Sequence, residues 1–193
     1  MVWILVPVAY LFGSLSSAVI VSRAFGLPDP REQGSKNPGA TNVLRLGGRK
    51  AAILTLLGDT AKGLVPLLIA RAWGAGDEAL GLIGLAAFLG HLFPVFFRFR
   101  GGKGVATALG VLLGFSWAVG GFAALTWLAV FGVTRISSVG GLTAAALAPL
   151  YVWGWLGSPW LTASTAVMTA LLFWRHRGNI ARLVRGEEGR IVR

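Results

Sequence analysis

The chain has 193 residues, 55% of them strongly apolar and 28 of them glycine, and its charged share of 13% is half of the about 25% usual for a soluble domain. With a mean hydropathy of +0.71, these values exclude a disordered chain and a water-soluble globule and make lipid the main solvent. Eighteen Lys/Arg against seven Asp/Glu leave a net charge of +11, costly if spread through so apolar a chain, and the lack of cysteine excludes disulfides, thiolate metal sites and a cysteine acyl intermediate.

Apolar stretches run over residues 2–22, 51–73, 79–97, 105–134, 136–153 and 159–174, each long enough for at least one membrane helix. Between them the cations cluster: six lie in 23–50, three in 98–103 and six in 175–193, with only Lys62, Arg71 and Arg135 elsewhere. Short basic loops stay on the cytoplasmic side, so all three segments are expected inside and the acidic turn 74–78 outside. Parity then decides the long stretch 105–134. One crossing would strand Arg135 and the arginine-rich tail outside, so two crossings are expected, with the turn at Gly120-Gly121. The expected fold is an all-α polytopic bundle of seven transmembrane helices, N-terminus out and C-terminus in, forming one domain over 1–193. Residues 2–22 lack a basic flank before the apolar run and read as a retained span rather than a cleaved signal.

The first basic segment contains GSKNPGATNVLR at 34–45. Its small residues, hydroxyls, two Asn and two cations suit a loop whose N–H groups turn toward an anion, as in a nest; the spacing of a Walker A loop is missing. The second contains GHLFPVFFRFRGGKGVAT at 90–107, in which Gly-Gly-Lys-Gly before a long apolar helix sets an ammonium and flexible backbone donors at the helix N-terminus. His91 falls on the inner half of its span and suits a structural hydrogen bond as well as chemistry. In the third, RHRGNIARL at 175–183, His176, Asn179 and Leu183 share one helical face, with Gly178 weakening the helix. Asp59 and Lys62, at i and i+3 within the second span, form a candidate intramembrane ion pair.

These strings, in this order, together with DTAKG at 59–63 and YLFGS at 10–14, resemble the bacterial acyl-phosphate:glycerol-3-phosphate acyltransferases over nearly the whole chain. Lys36 departs from the glycine common in that family. The resemblance implies a seven-span bundle in the bacterial cytoplasmic (inner) membrane, its site facing the cytoplasm. It implies transfer of a fatty acyl group from acyl phosphate to the 1-hydroxyl of sn-glycerol 3-phosphate, giving lysophosphatidic acid and phosphate as the first step of phospholipid synthesis. It also puts His176 and Asn179 near glycerol 3-phosphate.

The residues fit that chemistry. Both substrates carry phosphate, so two anion sites are needed. Lys103 with the backbone of Gly101, Gly102 and Gly104 can form one, and Ser35, Asn37, Arg45 and the stretch Gly39, Thr41 and Asn42 the other, with Arg175 or Arg182 adding charge; the assignment of substrates to sites stays open. Catalytic candidates are His176, Lys103, Ser35 and Asn179, and Asp59 with Lys62 joins the substrate-binding set. An acyl phosphate carries a good leaving group, so alignment and charge neutralisation matter more than a strong nucleophile. Either His176 or the substrate's own phosphate could take the hydroxyl proton, and the substrate-assisted route is favoured. No metal and no other cofactor is expected. Expected partners are the two substrates and membrane lipids, without nucleic acid, and the chain is expected to act as a monomer. The His-x-x-x-x-Asp acyltransferases are excluded, because Phe96 and Ala181 stand five residues after the two histidines. The alternative is a transporter of an organic phosphate anion.

Overall fold

The apolar runs fold as helices, and the computed structural model, which describes residues 1–191, holds no strand among them. The first run is a bent pair rather than one straight span: α1 (Leu5–Gly13) and α2 (Ser17–Ala24) meet at 41°. The break frees the Leu15 carbonyl, which accepts a hydrogen bond from Lys62 Nζ at 2.8 Å. α3 (Ala40–Ala72) is interrupted at Gly48, whose φ of 77° and ψ of −171° set an eight-residue N-terminal piece at an angle to the long helix behind it. α4 (Asp77–Leu92) opens with Asp77 and Glu78, favourable against its N-terminal dipole.

The stretch 105–134 is two helices, α5 (Val105–Phe115) and α6 (Trp117–Thr134), but the turn lies at Ser116 and not at Gly120-Gly121. Ser116 is extended and its hydroxyl accepts the Ala118 N–H at 3.2 Å, giving α6 the N-cap that a glycine pair lacks. Gly120 instead lies inside α6, packed against Leu113. α7 (Ser137–Leu156) ends at Gly157 in the left-handed conformation. α8 (Pro159–Arg175) starts on a Ser158 cap with proline in its first turn, and α9 (Arg177–Val184) follows directly. α3, α6, α7 and the stretch Asp77–Phe97 that α4 opens are each long and apolar enough to cross a membrane, and Val2–Gly13 with α2 makes a fifth such unit if the bent pair is one span. α5, at about 16 Å, reaches only half of a roughly 30 Å hydrocarbon core.

Packing follows the rule for helices in lipid, where small residues let backbones approach. Gly63 of α3 and Gly110 of α5 face one another's helices so closely that a Cβ on either would strike the carbonyl of Thr107 or Thr60. Gly13 of α1 and Gly90 of α4 do the same at a second crossing. Large apolar side chains point outward, Trp117, Leu125 and Leu150 each being 64% exposed, while Thr55, Asp59, Lys62, Thr107 and Thr165 are buried.

Candidate active site

A cavity of about 660 Å³ opens where the three basic segments meet. Residues 34–39 form one wall, braced by Asn42: its Nδ2 donates to the carbonyls of Pro30 (2.9 Å) and Gln33 (3.0 Å), and its Oδ1 accepts the Ser35 N–H at 2.9 Å. Of the loop expected over 34–45, residues 40–45 are instead the start of α3, with Gly39 as N-cap, so a helix N-terminus rather than a nest faces the opening. Ser35, Asn37, Gly39, Thr41, Asn42 and Arg45 all line the cavity. Arg45 has no protein hydrogen bond or ion pair among the described residues, whereas Thr41 Oγ1 lies 3.1 Å from Ser137 Oγ.

Lys103 and Gly104 form the second wall, just ahead of α5. Gly104, at φ 90°, packs against Phe88 and Leu92 with no room for a side chain. Lys103 Nζ donates to Asn179 Oδ1 at 2.5 Å. Burial pushes its ammonium down to about 8, with Arg182, Arg175 and Arg45 adding to the shift and Glu188 opposing it. Gly101 and Gly102, expected to offer N–H groups to phosphate, stand behind this wall. Their carbonyls accept from Arg175 (Nη2 to Gly101 at 2.5 Å, Nε to Gly102 at 3.0 Å), and the Gly102 N–H donates to the His91 carbonyl. Arg175 therefore braces the glycine loop and also does not reach the cavity.

The α8–α9 junction supplies the third wall. His176 is buried at the joint; a carbonyl can only accept, so its Nδ1–H donates to Leu172 O at 2.8 Å, which leaves the Nε2 lone pair free. Burial lowers its pKa to about 4, so the ring is neutral at pH 7. Asn179 joins Lys103 to Glu188, whose carboxylate also accepts from Ser138 Oγ and Arg182 Nε, each at 2.7 Å. Burial alone would raise the Glu188 carboxyl, but these bonds outweigh it and hold it below the usual range. Sequence reasoning passed over Glu188, Ser138 and the cavity position of His91. The signal for Glu188 is its place, beside Glu187, in a tail otherwise dominated by arginine.

Asp59 and Lys62 pair at 2.9 Å, both buried, with His91 Nδ1 3.7 Å from the same carboxylate oxygen. Asp59 and His91 touch the cavity; Lys62 turns away toward Leu15. Below this polar level the lining is apolar, with Leu109 and Leu112 of α5, Ala123, Trp127 and Leu128 of α6, Ala148 of α7 and Met168 and Leu172 of α8. One chamber thus joins a cationic mouth (Arg45, Lys103, Arg182, with Glu188 as the counter-charge there) to an apolar pocket. Such a chamber suits an anionic headgroup bearing a hydrocarbon chain. Among the described residues no cluster of His, Asp and Glu has the form of a metal site.

Comparison with known proteins gives a consistent picture. The sequence profile of the family Glycerol-3-phosphate acyltransferase matches residues 3–186. A glycerol-3-phosphate acyltransferase of Methylococcus capsulatus is 65% identical over 189 residues, covering 98% of this chain and 96% of the relative; one of Thioalkalivibrio sulfidiphilus is 58% identical, covering 95% and 90%. Two crystal structures of an integral membrane glycerol 3-phosphate acyltransferase, PlsY (YgiH), share the fold. The glycerol 3-phosphate form has a TM-score of 0.94 at 41% identity (99% of this chain, 96% of that one), and the lysophosphatidic acid form 0.91 at 39% (99% and 95%).

Proposed function

The chain belongs to the glycerol-3-phosphate acyltransferase family, and we propose that its acyl donor is a fatty acyl phosphate, which it uses to esterify the 1-hydroxyl of sn-glycerol 3-phosphate. It is a bacterial membrane acyltransferase that makes lysophosphatidic acid. The observation that carries the donor assignment is the single chamber with a cationic mouth and an apolar pocket, which can take a phosphate and the hydrocarbon chain attached to it together. Membership in an acyltransferase family removes the transporter alternative.

In the proposed reaction the acyl chain lies along Leu109, Leu112, Trp127 and Met168, and both phosphates sit at the mouth near Ser35, Arg45, Lys103, Asn179 and Arg182. The 1-hydroxyl oxygen attacks the acyl carbonyl carbon, the bond from that carbon to the bridging phosphate oxygen breaks, and inorganic phosphate leaves. Lys103 and the arginines offset the charge that gathers on the leaving group, a task suited to fixed cations in a partly desolvated site. The proton goes to the phosphate of glycerol 3-phosphate. Its second pKa of about 6 makes it a better base at pH 7 than His176, held near 4. His176 Nε2 instead accepts a hydrogen bond that orients the polyol. Asp59, Lys62 and His91 hold α3 and α4 in register beneath the site.

The proposal includes seven crossings by a single domain acting as a monomer in the inner membrane, with the N-terminus out and the cavity mouth facing the cytoplasm. The one-sided clustering of cations supports that orientation. Purified protein given palmitoyl phosphate and glycerol 3-phosphate is expected to release phosphate and lysophosphatidic acid in equal amounts, and to give neither with palmitoyl-CoA. Turnover with the thioester and none with the acyl phosphate would overturn the donor assignment. For orientation, the cysteine-free chain accepts a single Gly76→Cys, where a side chain meets open space, and external maleimide is expected to label it in intact cells.

A further inference from the structure

The wall made by residues 34–39 has two sides. Ser35, Asn37 and Gly39 face the active cavity, while the intervening Lys36 and Pro38 face a second, separate cavity of about 250 Å³. The glycine loop divides in the same way: Lys103 and Gly104 face the first chamber, Gly101 the second. The remaining lining of the second cavity is Arg31, Phe99, Arg100 and Arg175, so four of its seven residues are cations.

One of those charges is spent: Arg31 binds Asp29 at 2.6 Å. Arg175 donates only to the neutral carbonyls of Gly101 and Gly102, and Lys36 and Arg100 have no hydrogen-bonded or ion-pair partner among the described residues. Three cations line this small cavity, Lys36 and Arg100 exposed and Arg175 half-buried, with no carboxylate among its seven lining residues, a setting that favours an anion. The backbone concentrates cost there too. Lys36 (φ 56°) and Phe99 (φ 58°), both lining the cavity, and the neighbouring Arg98 (φ 54°) hold the left-handed conformation that side-chain-bearing residues rarely adopt. Two independent features, cations without a carboxylate partner and left-handed walls, therefore meet at one place.

We propose that this cavity is a phosphate-group site distinct from the active chamber, with Lys36, Arg100 and Arg175 as its cationic contacts, filled by free inorganic phosphate or by the phosphate of an acidic lipid headgroup. The site stands without the acyl-donor assignment and is tested without turnover. Full-length protein in neutral detergent is dialysed to equilibrium against radiolabelled inorganic phosphate. Wild type is expected to show phosphate displaced by glycerol 3-phosphate or by palmitoyl phosphate, which belongs to the active chamber, and one other class displaced by neither. Lys36→Gly, which relieves the left-handed strain and so keeps the fold, and Arg100→Gln should each weaken the other class roughly tenfold or more, the loss of one charge-assisted contact. Adding vesicles of equal parts phosphatidylglycerol and phosphatidylcholine identifies the occupant: displacement of the second phosphate by these, and not by pure phosphatidylcholine, assigns the lipid headgroup, and persistence assigns the free ion. Displacement of all bound phosphate by these two substrates in wild type, or a remaining class of unchanged affinity in both variants, would overturn the proposal.

Discussion

Replacing Glu188 with glutamine tests the polar mouth most directly, because the shape is kept while the charge is removed. The carboxylate accepts three hydrogen bonds, from Ser138, Asn179 and Arg182. Glutamine offers one acceptor oxygen, and its amide N–H groups must then face at least one donor, so at least one charge-assisted bond is lost, about 1.5–3 kcal/mol. Expressed in kcat/KM, that is a fall of roughly ten- to a hundredfold. A second readout separates this reasoning from general damage. Glu188 is the charge that opposes the lowering of Lys103, so without it the Lys103 ammonium should lose its proton at a pH further below about 8. The alkaline limb of kcat/KM against pH is expected to move toward neutrality in Glu188→Gln. Steady-state kinetics with glycerol 3-phosphate across pH 5 to 10, beside a thermal midpoint in the same detergent, measures both. Activity within twofold of wild type, or a lost activity whose alkaline limb has not moved, would refute the linkage through Asn179.

The wild-type profile itself should be bell-shaped. Activity falls below about 6 as the substrate phosphate takes up a proton, and falls above about 8 as Lys103 loses one, with no limb near 4 from His176 within the assayed range. Gly110→Ala drives a methyl group into the Thr60 carbonyl at the α3–α5 crossing and is expected to cost about 1–3 kcal/mol, read as a lower thermal midpoint; an unchanged midpoint would mean that the helices are not so tightly apposed. Ala148→Phe narrows the apolar part of the chamber and should shift preference toward shorter acyl phosphates, seen as a raised KM ratio of palmitoyl to decanoyl phosphate. Arg175→Lys removes the forked contact to the glycine-loop carbonyls and should raise KM for the phosphate substrates more than it lowers kcat.

The sequence was most informative where composition and spacing act locally. Charge clustering, the apolar runs and the three basic motifs identify a helical membrane chain, and Ser35, Arg45, Lys103, His176 and Asn179 do converge on one cavity. The errors share a cause. Gly120-Gly121 looks like a turn, but in lipid a glycine is as useful for close helix packing, as Gly120 is against Leu113, and a cap at Ser116 decides where the helix begins. Gly101 and Gly102 look like phosphate donors by composition, yet the direction of each peptide is set by tertiary partners, Arg175 and the His91 carbonyl, 73 or more and 11 residues distant in sequence. Glu188 escaped notice because its meaning comes from Ser138, a residue 50 positions earlier.

The unequal lengths of α5 and α6 set the level at which the chemistry takes place. α6 returns beside α5 from Ser116, and Val105 at the start of α5 lies against Gly141 of α7, while Gly140 lies against Trp127 of α6. The last seven residues of α6, at 1.5 Å each, thus carry the α6–α7 turn about 10 Å past the start of α5. Lys103 is thus recessed within a well, at the polar level above the apolar pocket, rather than on the outer rim. A small, soluble phosphate ester can descend into that well through water, while a lipid-borne partner need never lift its hydrocarbon out of the bilayer to meet it. With the proposed acyl-phosphate donor, the new ester would form with its chain already at the depth where a phospholipid precursor belongs, and the product would reach the membrane without a step of transfer.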